Sequence, residues 1–426
     1  MRSVSAASGP HALRLINATA VLSALRAAGP SRIADLMQTT GLSRPAVTRA
    51  VEVLSGHGWV ADADPDATDD EPRRSHLGRP AAMLRFRAEA GHVLGIDVGP
   101  HKILAMVADL DGTVVAERRF DAHALSGGEA VLAAILDVTA EVCRRIPAGS
   151  LMSAAVGTPG LVDPGTGMVS FAPSIPGWAR IPIGATLHDR LACPVTVHND
   201  VNLAVLAERW RGSAESAGTL VFLQWGARVG TGIMIDGRLH AGAARAAGEL
   251  GFLNLDAEPD PQGTPQSTDG EGTARTPTMG PFERQVGATA IIDLAIAEAE
   301  RHGDTGLLAL MKAAQPHDDA TALFEAAAAG SGLAQTIIDT ICARLARGLA
   351  AVYLVLDPEL VVIGGGLSRA GDQLLTAIER HLRPRTLVPP RLALSALGDT
   401  AVAIGALRSA LDDVDERVLS ALSSSD

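Results

Sequence analysis

The sequence predicts an α/β chain with a winged helix-turn-helix at its front, and three observations predict it. Residues 31–60, SRIADLMQTTGLSRPAVTRAVEVLSGHGWV, hold two helical patterns joined by a glycine turn. Residues 91–255 alternate strand and helix patterns, and 280–410 continue the alternation with more helix. The charge is divided between these parts: residues 1–90 carry 11 Arg against 9 Asp/Glu, a net of +2, whereas the whole chain carries −12, which leaves −14 for the remainder. At ~150 residues per domain, 426 residues make two or three domains.

The first unit, 11–87, is justified element by element. From His11 to Ala28 the apolar residues Leu15, Ala18, Leu22 and Leu25 recur at helical spacing. Gly29-Pro30 ends that helix, and Ser31 is placed to cap the next, Arg32 to Thr39. Gly41 supplies the turn. Ser43 caps a third helix, with Pro45 in its first turn, where a missing N–H costs nothing. Val47, Ala50, Val51 and Leu54 form its apolar stripe. Ser43, Arg44, Pro45, Thr48 and Arg49 lie on the other face, where Arg can pair with guanine edges and hydroxyls with bases or phosphates. Trp59-Val60 and Met83–Phe86 read as the two strands of a wing, and Arg79, in Gly78-Arg79-Pro80, is placed to enter a minor groove. Two readings remain for this unit: operator DNA binding, or a three-helix scaffold used for dimerisation alone. Pattern and charge contrast favour DNA.

Composition narrows the rest. Arg is the default basic residue, because Lys occurs only at 102 and 312, so its abundance is not in itself a DNA signal. No apolar run reaches the ~18 residues of a membrane helix, since Leu349–Leu356 is stopped by Asp357. Arg14 and Arg26 bracket a helical pattern rather than a signal-peptide core. Cys143, Cys193 and Cys342 have no CxxC spacing, so neither a disulfide framework nor a zinc site is expected. The expectation is a cytoplasmic protein with no membrane partner, no metal and no cofactor. Asp62–Pro72 reads as an exposed acidic loop, and 256–278, rich in Pro, Gly, Thr and Asp, as a disordered one.

The second half carries five ordered segments. VLGIDVGPHKILAMVADLDG (93–112) is a strand-turn-strand loop around Asp97 and Gly99, of the kind whose backbone N–H groups can face a phosphate. AVGTPGLVDPGTG (155–167), HNDVNLAVLAERWRG (198–212), GARVGTGIMIDGRLHAGAARAAGELG (226–251) and LVVIGGGLS (360–368) follow. On these motifs the chain, from residue 11 to about 410, resembles the ROK family (repressor, open reading frame, kinase), in its regulator branch with an N-terminal winged helix. The resemblance implies an actin-like ATPase fold for 91–410, two ribonuclease-H-like lobes around a cleft. It also implies a sugar or sugar-derived ligand and a homodimer or homotetramer. In the family's kinases an Asn-Asp pair meets the sugar and the Asp is the base, which falls here on Asn199-Asp200. Read from the residues alone, the same pair can simply cap the helix that follows.

The departures from the family point away from catalysis. Pro100-His101-Lys102 follows Gly99 where the family has Gly-Thr-Lys, and proline removes a phosphate-facing N–H. Gly226-Ala227-Arg228 replaces Gly-Thr-Gly, placing a cation where backbone should approach phosphate. Glu249-Leu250-Gly251-Phe252 ends in Phe where a sugar- and zinc-binding His is usual, and the family's cysteine cluster is missing. Glu283 matches the family's last sugar-binding Glu, and Ser174, before Ile175-Pro176-Gly177-Trp178, stands where an Asn is common. The sequence therefore predicts a retained sugar pocket (Ser174, Asn199, Asp200, Glu249, Glu283) beside degenerate phosphate loops (Asp97, Gly99, Lys102, Gly226, Arg228). Gly364–Gly366 suit either an adenine or close packing. An active sugar kinase with a DNA-binding appendage, its base Asp200, and a regulator with a vestigial pocket are the alternatives.

Overall fold

A computed structural model describes residues 10–63, 83–163, 165–215, 217–255, 279–314 and 320–424. The chain starts with α1 (Pro10–Ala28), α2 (Ile33–Thr40) and α3 (Arg44–Gly56). Gly41, at φ +69°, closes α2 by donating its N–H to the Met37 carbonyl at 3.0 Å. At the start of α3 the Ser43 carbonyl accepts from Ala46 and Val47, while the Ser43 hydroxyl makes no cap bond. Val47, Ala50 and Leu54 are buried. β1 (Val60–Asp62) and β2 (Leu84–Phe86) pair antiparallel as the wing, Val60 opposite Phe86 and Asp62 opposite Leu84.

One expectation here is corrected. Ser31 does not cap α2. It is buried in a two-bond bridge to Leu84, N–H to carbonyl in both directions at 2.8 and 2.9 Å. The cap position falls on Arg32, whose backbone N–H donates to Asp35 Oδ2 at 3.0 Å. Pairing with the wing satisfies Ser31 non-locally, and the carboxylate three residues into the helix does the local work. Arg79 and the 256–278 stretch lie outside the described residues, as does most of the acidic loop.

Two sheets follow. The first is built from β3 (His92–Val98), β4 (Lys102–Asp109), β5 (Val114–Asp121), β6 (Leu151–Thr158) and β9 (Val195–Asn199), in the order β5-β4-β3-β6-β9. β7 (Leu161–Val162) and β8 (Val169–Phe171) form a small hairpin beside it. α4 (Gly128–Cys143) and α5 (Ile183–Leu191) complete this lobe, and α6 (Asp200–Arg211) leaves it. The second sheet has β10 (Leu220–Trp225), β11 (Val229–Ile235), β12 (Arg238–Leu239), β13 (Leu360–Gly364) and β14 (Leu392–Leu394), in the order β12-β11-β10-β13-β14. Its helices are α7 (Glu283–Val286), α8 (Ala288–His302), α9 (Thr305–Ala313), α10 (Thr321–Ala328), α11 (Gly332–Leu356) and α12 (Asp372–Leu382).

Both sheets share one plan: three antiparallel strands, then two added parallel on the side of the first. That duplicated topology is the actin-like fold. α13 (Ala401–Ser424) returns to the first lobe and lies against β3 and β6 through glycines. A Cβ on Gly95 would sit 2.5 Å from the Ala403 carbonyl, and one on Gly157 2.4 Å from Val402 Cγ1. No helix among the described residues is long and apolar enough to cross a membrane.

Candidate functional site

The parallel strands β3, β6 and β9 end along one edge, the usual place for a ligand on such a sheet. The register sets Asp97 opposite Gly157 and Thr158 opposite Asn199. Asp97 is buried and ion-paired to Lys102 Nζ at 2.9 Å. Burial pushes the Asp97 carboxyl up, and Lys102 pulls it back. Lys102 also donates to the Asp399 carbonyl, and the Gly99 N–H is spent on the Lys102 carbonyl at 2.8 Å. Asn199 caps α6, its Oδ1 accepting from the Asn202 N–H at 3.1 Å and its Nδ2 donating to the Gly160 carbonyl at 3.2 Å. Asp200 is the first residue of that helix, and its Oδ1 accepts the Val201 N–H at 2.9 Å.

Lobe two supplies the facing groups. The β10–β11 turn closes with the Gly226 N–H on the Arg228 carbonyl at 3.1 Å. Arg228 Nη1 lies 3.2 Å from Glu283 Oε1, and Glu283 Oε2 accepts the Val229 N–H at 2.9 Å. Glu283 is buried at the start of α7. Burial raises its carboxyl, against Arg228 and the Val229 N–H. Burial, then the Glu283 carboxylate, raises Glu249, with Arg228 opposing. The Asp200 carboxyl is pushed up to about 7, first by burial and then by Asp97 and Glu249. Electrostatic coupling links Asp97 to Asp200, Asp200 to Glu249 and Glu249 to Glu283, with Lys102 paired to Asp97 and Arg228 to Glu283. Such a set can accept paired hydroxyl hydrogen bonds from a polyol. Among the described residues, no group of three or more His, Cys, Asp or Glu is arranged to hold a metal ion.

Sequence reasoning missed the anchor of the Ser174 turn. Trp178, fully buried, donates its indole N–H to Thr158 Oγ1 at 2.7 Å, next to Asn199 in the register. That bond fastens the segment bearing Ser174 to the carboxyl edge of β6. A Trp after Pro176-Gly177, in a chain only 3% aromatic, was the available signal. The Gly364–Gly366 turn serves packing first: a Cβ on Gly364 would meet the Phe222 ring at 2.3 Å, and one on Gly365 the Trp225 carbonyl at 2.4 Å. Gly366 lines a cavity of about 530 Å³ between α10, α11 and α12, with Asp339, Arg369 and Arg380 on its wall.

On α3, Ser43, Arg44, Pro45 and Arg49 are exposed and Thr48 half-buried, all away from the buried Val47–Ala50–Leu54 stripe. Arg49 Nε donates to the Pro45 carbonyl at 3.1 Å, holding its guanidinium along the helix.

Residues 93–412 match the ROK family, and 15–63 match the IclR helix-turn-helix domain. The xylose repressor of Caldicellulosiruptor bescii is 22% identical over 392 residues, covering 90% of this chain and 91% of that one. The glucokinase of Halalkalibacterium halodurans is 29% identical over 323 residues, 73% of this chain and 92% of that one. A solved ROK family transcriptional regulator, a homolog of the E. coli MLC protein, superposes with a TM-score of 0.74 at 23% identity, covering 96% and 99% of the two chains.

Proposed function

The chain belongs to the ROK family, and from that premise we propose that it is a DNA-binding transcriptional regulator whose ROK half senses a sugar or sugar-derived ligand without phosphorylating it. The observation that carries this reading is the pairing, in one chain, of a helix-turn-helix whose Ser43, Arg44, Pro45 and Arg49 are exposed with a set of electrostatically coupled carboxylates drawn from both lobes. The likeness to the xylose repressor runs along nine-tenths of the chain, beyond the ROK half alone. Operator DNA meets α3 and Arg79. The sugar meets Asn199, Asp200, Glu249, Glu283 and Ser174. Two copies read two half-sites, and ligand binding changes their spacing.

Loss of phosphoryl transfer follows from what fills the phosphate side. That reaction rests on positioning and on charge stabilisation at the phosphates. Pro100 lacks an N–H, Lys102 is held on Asp97, and Arg228 is held on Glu283. The glucokinase likeness and the raised Asp200 carboxyl favour the second reading, a working kinase, because a base near neutral pKa is efficient. The test is a phosphorylation assay with ATP, Mg²⁺ and a panel of hexoses, N-acetylhexosamines and pentoses, beside Asp200→Asn, with operator binding measured in parallel. The expected result is sugar-dependent operator affinity without turnover. Turnover of ~1–10³ s⁻¹ that vanishes in the variant makes the protein an enzyme.

A further inference from the structure

The winged helix is not hung on a free linker. Only residues 87–91 separate β2 from β3, and within them the Ala88 carbonyl accepts the Leu110 N–H at 3.0 Å. One apolar cluster runs from Ala18, Val21 and Leu25 of α1, through Leu104 and Met106 of β4, to Leu407, Leu411 and Val414 of α13. At its polar margin Arg26 of α1 donates to both carboxylate oxygens of Asp415 on α13, at 2.7 and 3.0 Å. The same guanidinium lies 4.5 Å from the centre of the Phe86 ring on the wing strand β2. Arg26 thus touches the wing, the first helix and the ROK half at once.

Asp415 is also approached by Arg408, Nη2 to Oδ2 at 3.8 Å, while Arg408 Nε donates to Asp412 at 3.0 Å. The Arg408 guanidinium faces the Trp210 ring at 5.5 Å, and that of Arg211 stacks on the same ring at 4.0 Å. Trp210 and Arg211 end α6, the helix that Asp200 begins. Ten residues at ~1.5 Å rise make roughly 15 Å of rigid rod between them. The backbone of that rod touches α13: a Cβ on Gly405 would lie 1.9 Å from the Leu203 carbonyl.

We propose that Arg26 and Asp415 are positioning residues that carry the occupancy of the Asp200 cleft to the winged helix, by way of α6, Trp210 and Arg408. The proposal rests on the sensor reading above. A ligand bound to Asn199 and Asp200 tilts the first turn of α6, and the tilt moves Trp210 against Arg408. Arg408 has two acidic partners, Asp412 and Asp415, and its share between them alters the grip of Asp415 on Arg26. A single Arg26 nitrogen, Nη1, is shared between the two Asp415 oxygens, with the side chains 22% and 30% exposed; such a partly exposed pair adds little stability, which suits a contact that must change. The pose of α1, and with it the spacing of two recognition helices, follows.

The test uses the full chain and an operator selected from random DNA. Operator affinity is measured with and without D-xylose, D-glucose and N-acetyl-D-glucosamine, each separately, for wild type, Arg26→Ala, Asp415→Ala, the double variant and Arg26→Lys. Allosteric couplings are commonly about 5–150-fold. The single variants should lose that ratio whatever their sugar-free affinity, the double should lose no more than either single, and Arg26→Lys should restore part of it. An unchanged ratio in all variants overturns the proposal. A second arm needs no sugar: coupling is reciprocal, so operator DNA should alter amide exchange in the first turn of α6 in wild type and leave it unaltered in Arg26→Ala. If no sugar moves wild-type affinity, the sensor reading fails, and this arm alone judges the relay. Identical exchange changes in both proteins, or none in wild type, overturn it.

Discussion

Arg44 and Arg49 stand on the exposed face of α3 while Val47, between them in sequence, and Ala50, the residue after Arg49, are buried. The helix period therefore separates reading from packing, and substitution of either Arg leaves the core intact. Replacing an Arg that reads a guanine should cost about 1–3 kcal/mol and relax specificity at one base pair. Binding of operator and random DNA by Arg44→Ala and Arg49→Ala, at one salt concentration, checks this; unchanged affinity for both DNAs removes these residues from the interface. Asp200 gives a second prediction. Its carboxyl is pushed up to about 7 in the folded chain, above the ordinary value of about 4 for an unfolded Asp. The folded state then binds more protons between those values, so the contribution of Asp200 to stability falls as pH rises from about 4 to 7. The melting temperature of wild type should drop relative to Asp200→Asn between pH 5 and 8. A difference independent of pH would mean that the carboxyl titrates normally.

At the level of elements, glycines decide how closely helices lie. A Cβ at Gly405 would meet the Leu203 backbone carbonyl at 1.9 Å, whereas one at Gly332, at the start of α11, meets nothing within 4 Å. Backbone cannot yield as a side chain can, so Gly405→Ala should cost at least the ~1–3 kcal/mol of overpacking, with Gly332→Ala near neutral. Denaturant midpoints compare the two, and equal midpoints would show that α6 and α13 part easily. These contacts were not legible in the sequence, because nothing local marks the partner of Gly405. What was legible has local causes. The stripe of α3, the Gly41 turn and the wing strands follow from period and φ preference. Ser31 failed because its backbone is satisfied by Leu84, a partner across the wing. The pocket carboxylates were legible only through motif order. The Arg228–Glu283 pair joins two elements distant in sequence, so nothing local in the sequence marks it.

For the whole molecule, the two sheets share one strand plan. Among the described residues the winged helix packs on the first lobe, against α13 and β4, as part of one apolar cluster. The kinase-like half ought then to depend on residues outside it. Removing residues 1–90 uncovers the faces of Met106, Leu407, Leu411 and Val414, each buried in the full chain. Apolar surface returned to water costs ~25 cal/mol per Å², so even about 100 Å² uncovered removes some 2.5 kcal/mol. In a domain of 150–250 residues each kcal/mol shifts the midpoint by about 2–4 °C, and in the longer remaining chain by less. The truncated chain should therefore melt a few degrees lower than the full chain. The full chain should also show no separate early transition for the winged helix, because its core does not end at residue 90. Scanning calorimetry reads both. An independent low-temperature transition in the full chain, with an unshifted midpoint in the truncated one, would mean that the winged helix is a tethered module, and the shared core would contribute nothing to its pose.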